Sequence, residues 1–251
     1  MVLWTVLLWG TLDCGAATET CRAGRVDETV RVDYVYDGDT VRLTDGRRLR
    51  FIGINTPELG RGDDPAEPLA RAARQHLRGL LDTDPTLALR YGHERRDRHG
   101  RMLAHPYLPD GTNVSAHLLR RGYGMALAIP PNLEQLACYR SAEREAARTG
   151  RGVWSHPWFR PLNAAGLDEA RPGFRRVGGR VQGVKHTAKS IWLRLDTQLS
   201  LRIAREDMDY FAELPTDVLA GRTVVARGWL NRRHGRWQMR IRHPAALEFP
   251  N

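Results

Sequence analysis

The sequence predicts a mainly β protein with helices (α+β), arranged as two consecutive small barrels. Three observations predict it. Apolar and polar residues alternate through most of 29–107 and again through 177–241, the period of half-buried strands. Three long blocks of helical spacing fall among and after the first set of strands. Between the two β-rich halves, Pro157, Pro161, Asn163, Gly166 and Pro172 interrupt either period.

The elements follow in order. Val30, Val32 and Tyr34 alternate with polar residues, and Val41 and Leu43 continue the alternation. Asp45-Gly46 is a hairpin turn, after which Leu49 to Ile54 returns as a strand. Leu69, Ala73, Leu77 and Leu80 predict a helix over 66–81. Thr86 to Tyr91 and Met102 to Leu108 are further strands, and Pro109-Asp110-Gly111 ends the second. Val114 to Arg121 and Leu133 to Thr149 are helices; Asn132 to Glu134 would cap the latter, and Gly150 and Gly152 stop it. Such a five-stranded unit with three helices suits an OB-fold barrel. After the break, Val177 to Val184, Ile191 to Leu195, Leu199 to Ile203, Thr223 to Trp229 and Trp237 to Ile241 predict a second small OB-like β-barrel, with a short helix near 207–214. The expected division is a signal peptide at 1–17, a first domain at 26–158, a linker at 159–173 and a second domain at 174–251.

A chain of 251 residues with 41% apolar and 27% charged residues is neither disordered nor a polytopic membrane protein. Its net charge of +10 points to a polyanionic partner. All but two of its 39 basic residues are Arg, the lysines being Lys185 and Lys189, and codon usage can produce the same bias. Val2 to Leu12 is an apolar run too short to span a bilayer, and Gly15-Ala16-Ala17 supplies small residues for cleavage, so a secreted or periplasmic location without a membrane span is expected. No basic residue follows Met1, which departs from the usual signal. Cleavage would leave Cys21 and Cys138, which an oxidising compartment would join; two free thiols are the alternative.

Three stretches hold groups suited to phosphate chemistry. They are Tyr36-Asp37-Gly38-Asp39-Thr40-Val41-Arg42, Arg50-Phe51-Ile52-Gly53-Ile54-Asn55-Thr56-Pro57-Glu58, and 94–104 with Asp97-Arg98-His99-Gly100-Arg101. Hydrolysis of a phosphodiester needs an activated water, stabilised transition-state charge and an accommodated leaving oxygen. Carboxylates with a hard cation, and guanidinium forks that grip two oxygens at once, supply these. Singly each stretch is ordinary: Asp-Gly-Asp is a common turn, Arg50 could be an edge charge, and Glu58 a loop residue.

In this order and spacing the three stretches, closed by Gly150-Arg151-Gly152-Val153-Trp154-Ser155, resemble the staphylococcal nuclease (thermonuclease) family over roughly Val26 to Trp158. The resemblance implies a metal-dependent nuclease on an OB barrel, acting on DNA and RNA and leaving 3′ phosphates. It implies Asp39 and the Thr56 carbonyl as ligands of a divalent cation, most simply Ca2+ with Mg2+ or Mn2+ as alternatives. It implies Glu58 as the general base, and Arg50 and Arg101 as the phosphate-binding arginines, with Arg101 assisting the departing 5′ oxygen. Asn55 stands where the family has a second metal-binding Asp, so an amide oxygen replaces a carboxylate and the cation should bind more weakly. Asp37 or Glu67 could compensate. A catalytically weakened nuclease fold that only binds nucleic acid is the competing reading.

Outside these stretches, Tyr123 is either core or a surface on which a base stacks. His93 and His99 read as surface residues. Trp229 and Trp237, with Arg232 and Arg233, could form a platform for single strands, or the tryptophans could be core and the arginines a solvated face. The expected assembly is a monomer.

Overall fold

The computed structural model describes residues 21–60, 62 and 64–250; the expected signal peptide lies outside them. The first unit opens with β1 (Glu28–Val35), β2 (Thr40–Leu43), β3 (Arg48–Phe51) and the short β4 (Ile54–Asn55). Helix α1 (Ala70–Leu80), β5 (Thr86–Arg96), β6 (Met102–Tyr107), α2 (Val114–Arg120), β7 (Met125–Ala126) and α3 (Leu136–Arg148) complete it. The strands close into a barrel in the order β1-β2-β3-β6-β5, with β3 and β6 parallel. Leu43, Leu49, Phe51, Leu87, Leu89 and Met102 fill it, the inward members of each alternation.

The second unit contains β8 (Leu162–Asn163), β9 (Gly173–Thr187), β10 (Ser190–Leu195), β11 (Leu199–Ala204), β12 (Thr223–Arg233), β13 (Arg236–Arg240) and β14 (Leu247–Glu248). Its sheet runs β9-β10-β11-β13-β12 and closes by pairing β12 with β9. Here too the third and last strands, β11 and β13, are parallel. The two barrels therefore share one strand circuit, the OB-like architecture expected.

Several boundaries differ from the expectation. Helix α1 begins four residues late, because the Glu67 N–H donates to the Glu58 carbonyl at 2.8 Å and Leu69 is left-handed (φ 66°). Asn132 does not cap α3; its side chain spans the Glu94 N–H and carbonyl at 2.9 Å each. Residues 159–173 are less a linker than part of the second barrel's wall. β8 pairs with β9, and Leu167 is fully buried, its carbonyl accepting from the Trp237 indole. In place of a helix at 207–214 there is a 3-10 turn, Arg205–Phe211, whose Asp207 carboxylate is buried between Arg240 and Arg242.

Cys21 and Cys138 form a disulfide that ties the N-terminal arm to α3 across 117 residues of sequence. Closing so long a loop removes about 4–5 kcal/mol of unfolded-chain entropy. The barrels are joined by buried charge. Arg227 on β12 donates to Glu143 on α3 at 2.6 Å and to Glu248 at 2.6 Å, and both Arg227 and Glu143 are under a tenth exposed. Trp154 lies beneath the Arg176 and Arg227 guanidinium groups, so it packs between the barrels, not only at the end of α3.

Candidate active site

The site gathers at one end of the first barrel, where three local structures converge. The first is the β1–β2 junction. Asp37 accepts the Asp39 N–H at 2.9 Å, an Asx turn that reverses the chain and leaves Asp39 pointing inward. Gly38 is required at this turn, since a Cβ there would sit 2.7 Å from the Thr56 side chain and 2.9 Å from Ala73. The second is the segment after β3. Gly53 adopts φ 82°, and a Cβ would collide with the Tyr139 ring, so the chain can turn sharply into β4. β4 then pairs with β7, Asn55 opposite Met125. The third is the β5–β6 hairpin, in which Gly100 (φ 74°) lets Asp97 and Arg101 face each other.

Asp39 is the hub. Its Oδ1 forms an ion pair with Arg50 Nε at 3.0 Å and accepts from Thr40 Oγ1 at 2.9 Å; its Oδ2 accepts from Thr56 N at 2.8 Å and Thr56 Oγ1 at 3.0 Å. Arg50 is 9% exposed. Beyond Asp39 it donates to the Phe51 and Ile54 carbonyls at 2.7 and 2.8 Å and to Asn55 Oδ1 at 3.2 Å. Nη1 thus donates twice and Nη2 once, which sets the fork against the backbone of β3 and β4. Arg101 is less enclosed and is held by Asp97, whose carboxylate accepts from Arg101 Nε at 2.7 Å and from its N–H at 3.0 Å.

Three carboxyl groups crowd this end. Burial, then the Asp39 charge, raise Asp37 to about 8, with Glu58 adding to the effect and Arg50 opposing it. Partial desolvation, then Asp39, also raise Glu58, whose side chain still reaches solvent, against the pull of Arg50 and Arg101. Asp39, Arg50, Asn55 and Thr56 are joined by direct contacts, whereas Glu58 is coupled to Asp39, Arg50 and Arg101 through charge alone. Such a cluster suits a hard cation, which would let every carboxyl ionise. The available donors are Asp37, Asp39, the Thr56 carbonyl and the second lone pair of Asn55 Oδ1, all oxygen. Among the described residues no three His, Cys, Asp or Glu side chains surround a common point, so an all-side-chain cage is absent there.

Two residues have roles that spacing did not reveal. Asp97 belongs to the third motif but carried no assignment; its fixing of Arg101 is a turn geometry that only coordinates give. Glu67 does not compensate for Asn55. It accepts the Glu58 N–H at 3.0 Å and pairs with Arg175 at 2.8 Å.

Tyr123 stacks on His76, centroids 4.6 Å apart, which occupies one ring face. His93 and His99 are exposed, as expected. Trp237 is in the second core with Arg232 over its ring, so the expected Trp229–Trp237 platform does not form: alternation along β12 and β13 turns the two rings to opposite sides. Trp229 is exposed, edge-on to Phe174, and Arg233 is exposed.

The staphylococcal nuclease homologue family matches residues 48–156. The thermonuclease of Staphylococcus intermedius is 32% identical over 130 residues, 51% of this chain and 76% of that protein. The chain belongs to the staphylococcal nuclease family. Other relatives are the thermonuclease of Staphylococcus hyicus, 30% identical over 134 residues (52% and 78% of the two chains), and the endonuclease YncB of Bacillus subtilis, 30% over 131 residues (50% and 61%). The relatives match about half of the chain, and the family match ends at residue 156, before the second barrel.

Proposed function

We propose that this family member is a nuclease that hydrolyses the phosphodiester bonds of DNA and RNA with a divalent cation. The observation that carries the reading is Asp39 held between Arg50 and Thr56 at the barrel end, with Glu58 two residues further along the same segment. Asp39, Asn55 and the Thr56 carbonyl, with Asp37 alongside, would hold the ion, Ca2+ by preference for oxygen donors and Mg2+ or Mn2+ as alternatives. When bound, the ion supplies positive charge to a phosphate oxygen. Glu58, raised above its ordinary range, takes the proton of the attacking water. Arg50 and Arg101 grip the phosphate, and the charge that builds on it strengthens their hydrogen bonds. Arg101, on a more open hairpin, faces the departing 5′ oxygen, so the products end in 3′ phosphates.

The catalytic unit is residues 26–158, followed by the second barrel at 174–251, to whose wall 159–173 contribute. The protein acts as a monomer outside the cytoplasm. The disulfide and the apolar N-terminal run support export to the periplasm or beyond, and no helix among the described residues is long and apolar enough to cross a membrane.

Cleavage of single-stranded DNA by the purified chain with Ca2+, Mg2+, Mn2+ or EDTA tests the reading. Glu58→Gln should lower kcat about 10²- to 10⁴-fold. Asn55→Asp should lower the cation concentration needed for half-maximal rate. Salt-sensitive binding without cleavage in any ion would replace the enzyme with a nucleic-acid-binding protein.

A further inference from the structure

The segment that leaves the site at Glu58 returns to it at Glu67, and the return is closed twice. The Glu67 N–H donates to the Glu58 carbonyl at 2.8 Å, and the Glu58 N–H donates to Glu67 Oε2 at 3.0 Å. Nothing in the first barrel neutralises the Glu67 carboxylate through a direct ion pair among the described residues; its partner comes from the second barrel. Arg175, at the start of β9, donates to Glu67 Oε1 at 2.8 Å. The same nitrogen also donates to the Phe174 carbonyl at 2.9 Å, and the guanidinium lies 4.8 Å over the Trp158 ring. Arg175 is 9% exposed, so its charge is held in one place by a carbonyl, an aromatic face and a carboxylate. Asn55, Pro57 and Glu67 line a small cleft with Phe159 and Phe174, so the contact lies directly behind the site.

We infer that the second barrel acts as part of the catalytic apparatus, with Arg175 as a positioning residue that fixes the Glu58 backbone through Glu67. This rests on the reading of Glu58 as the base. An extended loop would let the Glu58 carboxyl wander, and a displacement of about 1 Å at a reacting group can cost on the order of 100-fold in rate. Glu67 pins the loop to itself, but its carboxylate is kept in place from outside by Arg175. The second barrel thereby gains a function that does not require it to touch substrate.

The test uses the full chain as wild type, R175M, E67Q and the double variant. Each single change should lower kcat by about 10- to 100-fold while KM stays within about twofold, and the double variant should be no worse than E67Q alone. Amide exchange is the second readout: in R175M the Glu58 amide should exchange at least about tenfold faster while amides of β1 to β3 keep their protection. Wild-type kcat and wild-type exchange at Glu58 in R175M would overturn the inference. So would a loss confined to KM, or exchange that rises evenly through both barrels. If the wild type cleaves nothing, the base assignment fails, and the exchange data alone decide whether the second barrel holds this loop.

Discussion

In the first barrel Arg50 is an outward residue of the third strand; in the second, Arg202 is one. Both strands run parallel to the last strand of their barrel, Arg50 opposite Leu103 and Arg202 opposite Arg240. Arg50 is buried, pairs with Asp39 and donates to two carbonyls and Asn55. Arg202 is half-exposed, bonds Ser190 Oγ and lies over Trp192. The same scaffold position is thus a fixed functional group in one barrel and a surface residue in the other. The difference comes from the segment that follows the strand: 52–58 gives acceptors to Arg50, whereas Arg205–Phe211 after β11 gives its Asp207 to Arg240 and Arg242 instead. Fold alone does not make a site; the segment after the strand does.

The comparison can be broken in three ways. The largest effect is expected where the barrels meet. Arg227→Met leaves Glu143 buried without its partner and should cost about 3–5 kcal/mol of stability in chemical denaturation. If it costs under about 1 kcal/mol, the barrels are only loosely joined. Next come paired substitutions at the two equivalent arginines. Arg50→Lys cannot reach four acceptors with one ammonium and should lower kcat/KM about 100-fold, whereas Arg202→Lys should leave both rate and stability within about 0.5 kcal/mol of wild type. Equal effects would mean that the segment after the strand does not distinguish them.

The smallest effect is expected from acid. Burial lowers His105 to about 4, despite Glu134 nearby, and burial also lowers His76 and His117, whose Nε2 atoms meet at 3.0 Å. The neutral form is favoured in the folded chain, so this stability is complete above the unfolded histidine range near 6.5. It is lost as pH falls from there through the folded values. At pH 5.5 the loss is about 1 kcal/mol for His105. All three residues belong to the first barrel, so exchange protection there should fall before that of the second barrel, where His243 alone is lowered, by burial. Simultaneous loss in both would show that the interface couples them into one cooperative unit.

Much was legible in the sequence because it is local. Alternation marked the inward residues of both barrels, and the Asp-Gly-Asp turn, the Arg50-to-Glu58 run and the Asp97-to-Arg101 hairpin each carry their own turn chemistry within a few residues. The bridge between Cys21 and Cys138 was one of two readings of the cysteines, and it rested on cleavage that removes Cys14. What sequence could not decide depends on groups far apart in the chain. Trp229 and Trp237 differ in burial because neighbouring strands turn them to opposite sides, and Arg175 reaches Glu67 across 108 residues. Residues 159–173 have the composition of a linker, yet Leu167 is buried because β9 and Trp237 offer it a core. Local hydrogen bonding and side-chain period are written along the chain; burial and ion pairing between its two halves exist only once the barrels have closed and met.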